Sequence, residues 1–140
     1  MFREDYFMRL VRQFAEALAT MKRRREGGEN LAALKVADRL YDELLTIPRE
    51  VIDRVDTPTL VSLLGGIDRI RAAALLFWEE GHIYKAQGDP LTSFARYRRA
   101  HELFLEARAL DPREEDDSAI LELSRAAPAD QLDPRYRAPA

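Results

Sequence analysis

Three capping residues, each followed directly by proline, divide the chain from residue 57 onward into helices. Thr57-Pro58, Asp89-Pro90 and Asp111-Pro112 each join a side chain that can cap a helix to a proline whose fixed φ suits the first helical turn. Gly27-Gly28 and Gly65-Gly66 supply further breaks. Between these boundaries, apolar residues recur at three- and four-residue steps, as on one face of an α-helix. The sequence therefore predicts an all-α fold.

The pattern predicts four main helices and three short ones. The main helices cover residues 3–26, 30–45, 67–86 and 90–110, and the short ones cover 49–55, 57–64 and 114–125. Short loops join the main helices into two antiparallel hairpins, which we expect to pack as a compact bundle. Residues 1–126 should form this single helical domain. Residues 127–140 have little periodic apolar content, which favours an extended or disordered C-terminal tail.

The segment from Phe77 to Pro112 resembles a tetratricopeptide repeat, a helical hairpin of about 34 residues. The matching positions are Phe77 for the large residue, Gly81 for the small contact, Tyr84 for the aromatic, Gly88 for the turn, Tyr97 and Ala100 for the second helix, and Pro112 for the close. Glu80 and Ser93 stand where the family usually has Leu and Ala, and the second helix is longer. The first hairpin follows the pattern more weakly, with Gly28 at its turn. The chain as a whole resembles a group of short bacterial proteins with tetratricopeptide-like ends and no known activity.

The resemblance implies a surface for a partner. In tetratricopeptide folds the first helix of each repeat lines the concave face, so Trp78, His82 and Lys85 would lie there, joined by Lys22 and Arg25 from the first hairpin. Such a cluster would suit a peptide carboxylate or an acidic segment. The alternative is that Trp78 packs on the neighbouring hairpin and His82 is half-exposed. We predict a non-enzymatic interaction or scaffold module for a protein or peptide partner.

The first helix also suggests self-association. Phe2, Phe7, Phe14 and Leu18 provide more apolar surface than one facing helix can bury. We therefore expect a homodimer.

A metal-binding or enzymatic bundle is the alternative function. Glu79 and His82 have the Glu-x-x-His spacing that di-iron bundles use. The second histidine, His101, has Arg98 three residues before it, so a second such pair is missing. The chain has no cysteine, and its glycine pairs and serines lack the context of a phosphate loop or a nucleophile elbow. We expect no catalytic residues, no metal and no cofactor.

Charge and hydropathy argue against nucleic acid and membrane as partners. The net charge is −3 with both signs interspersed, and the run from Lys22 to Arg25 is short, with Glu26 and Glu29 beside it. No apolar run approaches the roughly 20 residues that span a bilayer, and the charged N-terminus lacks a secretory pattern. A preference for Arg over Lys fits a GC-rich bacterial genome. We expect a cytoplasmic protein.

Overall fold

The computed structural model describes residues 2–137, without the side chains of residues 2–8 and 44. Across this part the chain forms seven α-helices and no β-strand, which confirms the all-α prediction. The helices are α1 (Phe2–Glu26), α2 (Asn30–Leu40), α3 (Arg49–Arg54), α4 (Thr57–Leu64), α5 (Ile67–Ala86), α6 (Pro90–Leu110) and α7 (Glu114–Ala126). A π-helical turn, Tyr41–Leu45, continues α2, and two 3₁₀ turns, Ala129–Gln131 and Pro134–Tyr136, follow α7.

One apolar core contains residues from every helix or from the turn that extends it. Its largest fully buried side chains are Met21, Tyr41, Leu45, Ile52, Leu60, Leu64, Ile70, Leu76, Phe77, Ile83, Leu103 and Leu123. Helix α2 contributes the small residues Ala33 and Ala37, which let it lie close to its neighbours. The short helices therefore belong to the same core as the long ones.

Helices α5 and α6 form an antiparallel pair at the centre of the molecule. Contacts join Gly81 to Ser93 and Tyr97 near the turn, and Trp78 to Phe104 farther away. The Ser93 hydroxyl donates to the Gly81 carbonyl at 2.7 Å. A Cβ at position 81 would lie 2.5 Å from two ring carbons of Tyr97, so glycine is required for this close approach.

The loops after α1 and α5 end their helices in the same way. Gly28 and Gly88 both have φ of +79°, the left-handed conformation that glycine adopts without strain. The amide of Glu29 donates to the carbonyl of Arg24 at 2.7 Å, and the amide of Asp89 donates to the carbonyl of Tyr84 at 2.9 Å. The chain thus reverses direction within three residues at both places.

Two of the helix starts use an aspartate cap. Asp89 accepts a hydrogen bond from the amide of Thr92 at 3.2 Å, as predicted for α6. At α4 the cap is Asp56, which accepts from the amide of Thr59 at 2.9 Å, so the prediction of Thr57 as the cap is wrong. Thr57 is already inside the helix and its hydroxyl turns to the interior.

Two other helices begin without a side-chain cap, and one of them, α7, was predicted to have one. Asn30 is the first residue of α2, and the residue before it, Glu29, makes no side-chain cap. Asp111 does not cap α7, whose preceding residue is Arg113. The carboxylate and carbonyl of Asp111 accept hydrogen bonds from Arg71 of α5 instead.

The segment after α7 packs against α6. Ala127 and Leu132 are buried, His101 donates its Nδ1–H to the Ala127 carbonyl at 2.9 Å, and the Tyr136 hydroxyl donates to Glu106 at 2.9 Å. The sequence favoured an extended or disordered tail because these apolar residues form no helical stripe. These individual contacts hold residues 127–137 against α6 although the segment has no such stripe. Residues 138–140 lie outside the described part.

Candidate functional site

Glu80, in the middle of α5, is 0 % exposed and joins four elements. The hydroxyl of Tyr41, from the π turn, donates to one of its oxygens, and Arg49 of α3 donates to the other at 2.8 Å. The Arg49 guanidinium also lies over the Tyr41 ring, 4.1 Å from its centroid. Arg96 of α6 approaches to 4.0 Å. The carboxylate therefore links the π turn, α3 and α6 to α5.

The protonation of this cluster follows from its burial. Burial, reinforced by the nearby charge of Glu80, raises the pKa of Tyr41 well above its usual range. Tyr41 therefore keeps its proton and acts as the donor. A buried carboxylate needs such partners, because an unpaired charge in the interior costs several kcal/mol, of the order of 3–5 when a partner is removed.

Two further buried acids join other parts of the chain. Glu102 of α6 accepts from the Thr57 hydroxyl at 2.5 Å and from the amide of Asp133 at 2.9 Å, which ties α4 and the C-terminal segment to α6. Asp116 of α7 accepts from Arg71 of α5 at 2.7 Å. Sequence reasoning missed all three acids, although each stands at a position of its helix that faces the core.

The predicted partner-binding residues of α5 lie one turn apart on the same helix face. Trp78 is partly exposed, and its ring meets Phe104 edge-on with centroids 5.9 Å apart. His82 is also partly exposed, and its Nδ1 lies 2.7 Å from the Tyr97 hydroxyl. Lys85 is exposed. We call Trp78, His82 and Lys85 the α5 strip.

Charges from two other helices reach the α5 strip. Burial lowers the pKa of His82 below its usual value; Glu79 and Glu122 oppose this shift, whereas Arg25 and Lys85 add to it. His82 is therefore neutral at neutral pH. Because Arg25 belongs to α1 and Glu122 to α7, both helices come near this face of α5.

Arg25 and Lys22 of α1 differ in their relation to the α5 strip. Arg25 donates its Nε–H to Glu79 at 2.6 Å, which brings the C-terminal end of α1 beside Trp78 and His82. Lys22, one turn earlier, is exposed. The structure thus joins Arg25 to the other predicted residues through Glu79, while Lys22 lies at the surface.

The two residues proposed for a metal site already have protein partners. Glu79 is paired with Arg25, and His82 shares a hydrogen bond with Tyr97. Among the residues with described side chains, no group of three His, Asp or Glu is arranged to hold a metal ion. His101 is buried and bonded to Ala127.

In the described part of the chain, no helix combines the length and apolar character needed to cross a membrane. Comparisons with protein-family models, with curated proteins and with solved structures find no match.

Proposed function

We propose that this protein is a non-enzymatic interaction module that binds an acidic peptide segment along the α5 strip. The observation that carries this proposal is the partly exposed Trp78, fixed against Phe104 and flanked by cations of α1 and α5. Tryptophan is enriched among residues that dominate binding energy. The α5–α6 pair is on this account a divergent tetratricopeptide hairpin, since the Gly81–Tyr97 contact falls at positions that the family uses.

The α5 strip is preorganised for binding. The ring of Trp78 rests on Phe104 and that of His82 on Tyr97, with centroids 5.9 Å and 5.4 Å apart. Side chains that are already fixed lose little conformational entropy when a partner binds. The exposed ammonium group of Lys85 can then form a charge-assisted bond to a carboxylate of the peptide. The absence of cysteine supports a place for this module in a reducing bacterial cytoplasm.

Selection from a library of random peptides tests the proposal. Trp78 is the only tryptophan, so its emission reports directly on binding at the α5 strip. We expect the selected peptides to be rich in Asp and Glu, to shift this emission, and to bind at least about tenfold more weakly to Lys85→Glu. Trp78→Ala, followed by calorimetry, should weaken binding by a similar factor.

Lys35→Glu is the matched control, because Lys35 is an exposed lysine of α2 away from the α5 strip. It makes the same charge change and should leave affinity within about twofold. Selected peptides without acidic bias, or equal losses for Lys85→Glu and Lys35→Glu, would contradict the proposal.

We also propose self-association through the first half of α1. Helices α1 and α2 are antiparallel neighbours joined by a short loop, and they line one depression together. Helix α1 has 25 residues, whereas α2 has 11 and its π turn has 5. The N-terminal turns of α1 therefore extend beyond the end of α2 and its π turn. Val11, at this boundary, is 44 % exposed.

The four residues that suggested the dimer have different positions. Phe14 is buried in the core, so its predicted role in the interface is wrong, and Leu18 is partly buried against the same core. Phe2 and Phe7 lie outside the described side chains. The proposed interface thus consists of the turns of α1 that precede Phe14.

Sedimentation analysis checks the dimer. The wild-type protein should sediment as a dimer at micromolar concentration, and Val11→Arg should shift it to a monomer, because a charge would enter the apolar interface. Leu31→Arg, at an exposed leucine of α2, is the control and should remain dimeric. A monomeric wild-type protein at high micromolar concentration would remove this proposal.

A further inference from the structure

A surface depression of about 390 Å³ lies between α3 and α6, on a different part of the molecule from the α5 strip. Two arginines, Arg96 and Arg99, line it together with Thr92, Leu91 and Asp53. Phe77 forms part of its base. Depressions of this size accommodate small organic molecules rather than folded partners.

Arg96 has hydrogen-bonding capacity that the chain does not use. Its Nε is buried and has no hydrogen-bond partner among the described side chains, and the Glu80 carboxylate oxygen that faces it is 4.0 Å away. Its Nη1 donates to Asp53 at 3.2 Å. Asp53 is 46 % exposed and makes only this one ion pair among the described side chains, so it can move away from Arg96 at low cost.

Arg99 is a partly buried cation that contacts neutral acceptors. It donates to the carbonyl of Val55 at 2.7 Å, to that of Ile52 at 3.4 Å and to the Thr57 hydroxyl at 3.3 Å. No carboxylate among the described side chains forms an ion pair with it. Burial lowers the pKa of Arg99, which agrees with an incompletely compensated charge.

We propose that this depression binds the oxyanion group, phosphate or carboxylate, of a small organic molecule, which bridges Arg96 and Arg99 and replaces Asp53. The planar guanidinium groups match the geometry of both oxyanions. The lining carries two positive charges and one negative charge, so an incoming anion meets a net positive surface once Asp53 has moved. The Thr92 hydroxyl supplies a further donor at the wall.

The rim of the depression indicates what the rest of the ligand should be. Leu91 is 83 % exposed there, and Ala95 lies one turn farther along α6. These side chains suit an apolar or aromatic group next to the oxyanion. The class of ligand is therefore a small aromatic or aliphatic phosphate or carboxylate.

Calorimetric titration with four probes tests this proposal: phenyl phosphate, benzoate, inorganic phosphate and the neutral benzyl alcohol. Phenyl phosphate or benzoate should bind, benzyl alcohol should not, and affinity should fall with added salt. Tighter binding of phenyl phosphate assigns the site to phosphates, and tighter binding of benzoate assigns it to carboxylates. Inorganic phosphate should bind more weakly than phenyl phosphate because it lacks the apolar group.

Two variants distinguish binding in this depression from nonspecific attraction to surface charge. Asp53→Asn should bind the better probe about three- to tenfold more tightly, since the competing carboxylate is gone, and Arg99→Gln should lose at least about tenfold. Asp38→Asn is the matched control: Asp38 is exposed and pairs with Arg49 at 3.3 Å, and its removal should leave the affinity unchanged.

Arg99→Gln also removes contacts to the end of α3, so its fold is checked by circular dichroism. If Arg99→Gln unfolds, Asp53→Asn still tests anion binding in the depression, because this variant keeps every hydrogen bond of Arg99. Absence of binding to all anionic probes at millimolar concentration, or an unchanged affinity in Asp53→Asn, would overturn the proposal.

Discussion

Glu79 and Glu80 are neighbours on α5, yet they belong to two different regions of the molecule. Glu80 has no exposed surface and is surrounded by Tyr41, Arg49 and Arg96 from three other elements. Glu79 faces α1, where its partner Arg25 is 21 % exposed and borders the α5 strip. One residue step along a helix turns the side chain by about 100°, which is enough to separate the two environments.

The difference shows how a single helix serves both the fold and the surface. The Glu80 side of α5 uses its charge to fix the arrangement of the π turn, α3 and α6. The Glu79 side carries a partly exposed Trp78 and a neutral His82. Glu79 itself is only 9 % exposed, but its partner Arg25 retains contact with water. Stability should therefore depend on Glu80, and binding should depend on the surroundings of Glu79.

Glu80→Gln should give the largest loss of stability. The substitution keeps the shape of the side chain but removes the buried carboxylate that Arg49 and Arg96 face, which leaves Arg49 with the exposed Asp38 alone, at a cost of about 3 kcal/mol. Urea unfolding followed by circular dichroism measures this loss.

A triple variant tests further whether the stability loss comes from an unpaired charge. Glu80→Leu combined with Arg49→Met and Tyr41→Phe removes the polar groups together and should recover part of the lost stability, because apolar replacements of buried ion pairs are often tolerated. Equal losses for Glu80→Gln and Glu79→Gln would show that the Glu80 cluster has no special role.

Gly81→Ala should have the next largest effect, since its new Cβ would overlap the ring of Tyr97. Overpacking of this kind costs about 1–3 kcal/mol, against a gain in helix propensity of about 1 kcal/mol. Thermal unfolding should show a lower midpoint, and Tyr97→Leu in the same chain should restore it. Gly66→Ala is the control, because Gly66 has open space around it and an extended φ of 178°.

The two histidines predict a pH dependence of stability. Burial lowers the pKa of both His82 and His101 below the usual value of 6.5. Below that pH the unfolded chain takes up protons that the folded chain does not, so stability is complete above about pH 6.5 and is lost as pH falls toward the folded pKa values.

Urea unfolding at pH 7.5, 6.5 and 5.5 checks this dependence. His101→Asn retains a donor for the Ala127 carbonyl without a titrating ring, and should reduce the loss between the two lower pH values. Stability that rises as the pH falls through this range would contradict the assignment of both rings as neutral in the folded state.

Glu79→Gln should cost less stability than Glu80→Gln, about 1–2 kcal/mol, because Arg25 is 21 % exposed and can be hydrated when its partner is lost. The same urea measurement as for Glu80→Gln checks it. A loss as large as that of Glu80→Gln would remove the distinction between the two sides of α5.

The helices could be predicted from the sequence because apolar periodicity and glycine stops act locally. The ends of α4 to α6 follow from Pro58, Gly65 and Pro90, and the close approach at Gly81 follows from the hairpin pattern. The caps at Thr57 and Asp111 were predicted wrongly because both side chains are used by residues far away in the sequence, Glu102 and Arg71.

The surroundings of the candidate site depend on contacts between distant residues. The α5 strip could be read from helical spacing and the repeat-like pattern, but the pairing of Arg25 with Glu79 joins residues that are 54 positions apart. The Glu80 cluster could not be predicted, since its members come from four elements whose packing no local pattern specifies. The same holds for the depression at Arg96 and Arg99, because its lining combines Asp53 of α3 with residues of α5 and α6.

The affinity of Glu79→Gln and Glu80→Gln for a selected acidic peptide tests the central claim most directly. Both variants lose one negative charge at adjacent positions, and both are measured under conditions where the protein is fully folded. We predict that Glu79→Gln binds several-fold more tightly, because Arg25 is released beside the α5 strip, and that Glu80→Gln binds as the wild-type protein does. Unchanged or weaker binding by Glu79→Gln, or an equal change in both variants, would contradict the division of α5 into a structural side and a binding side.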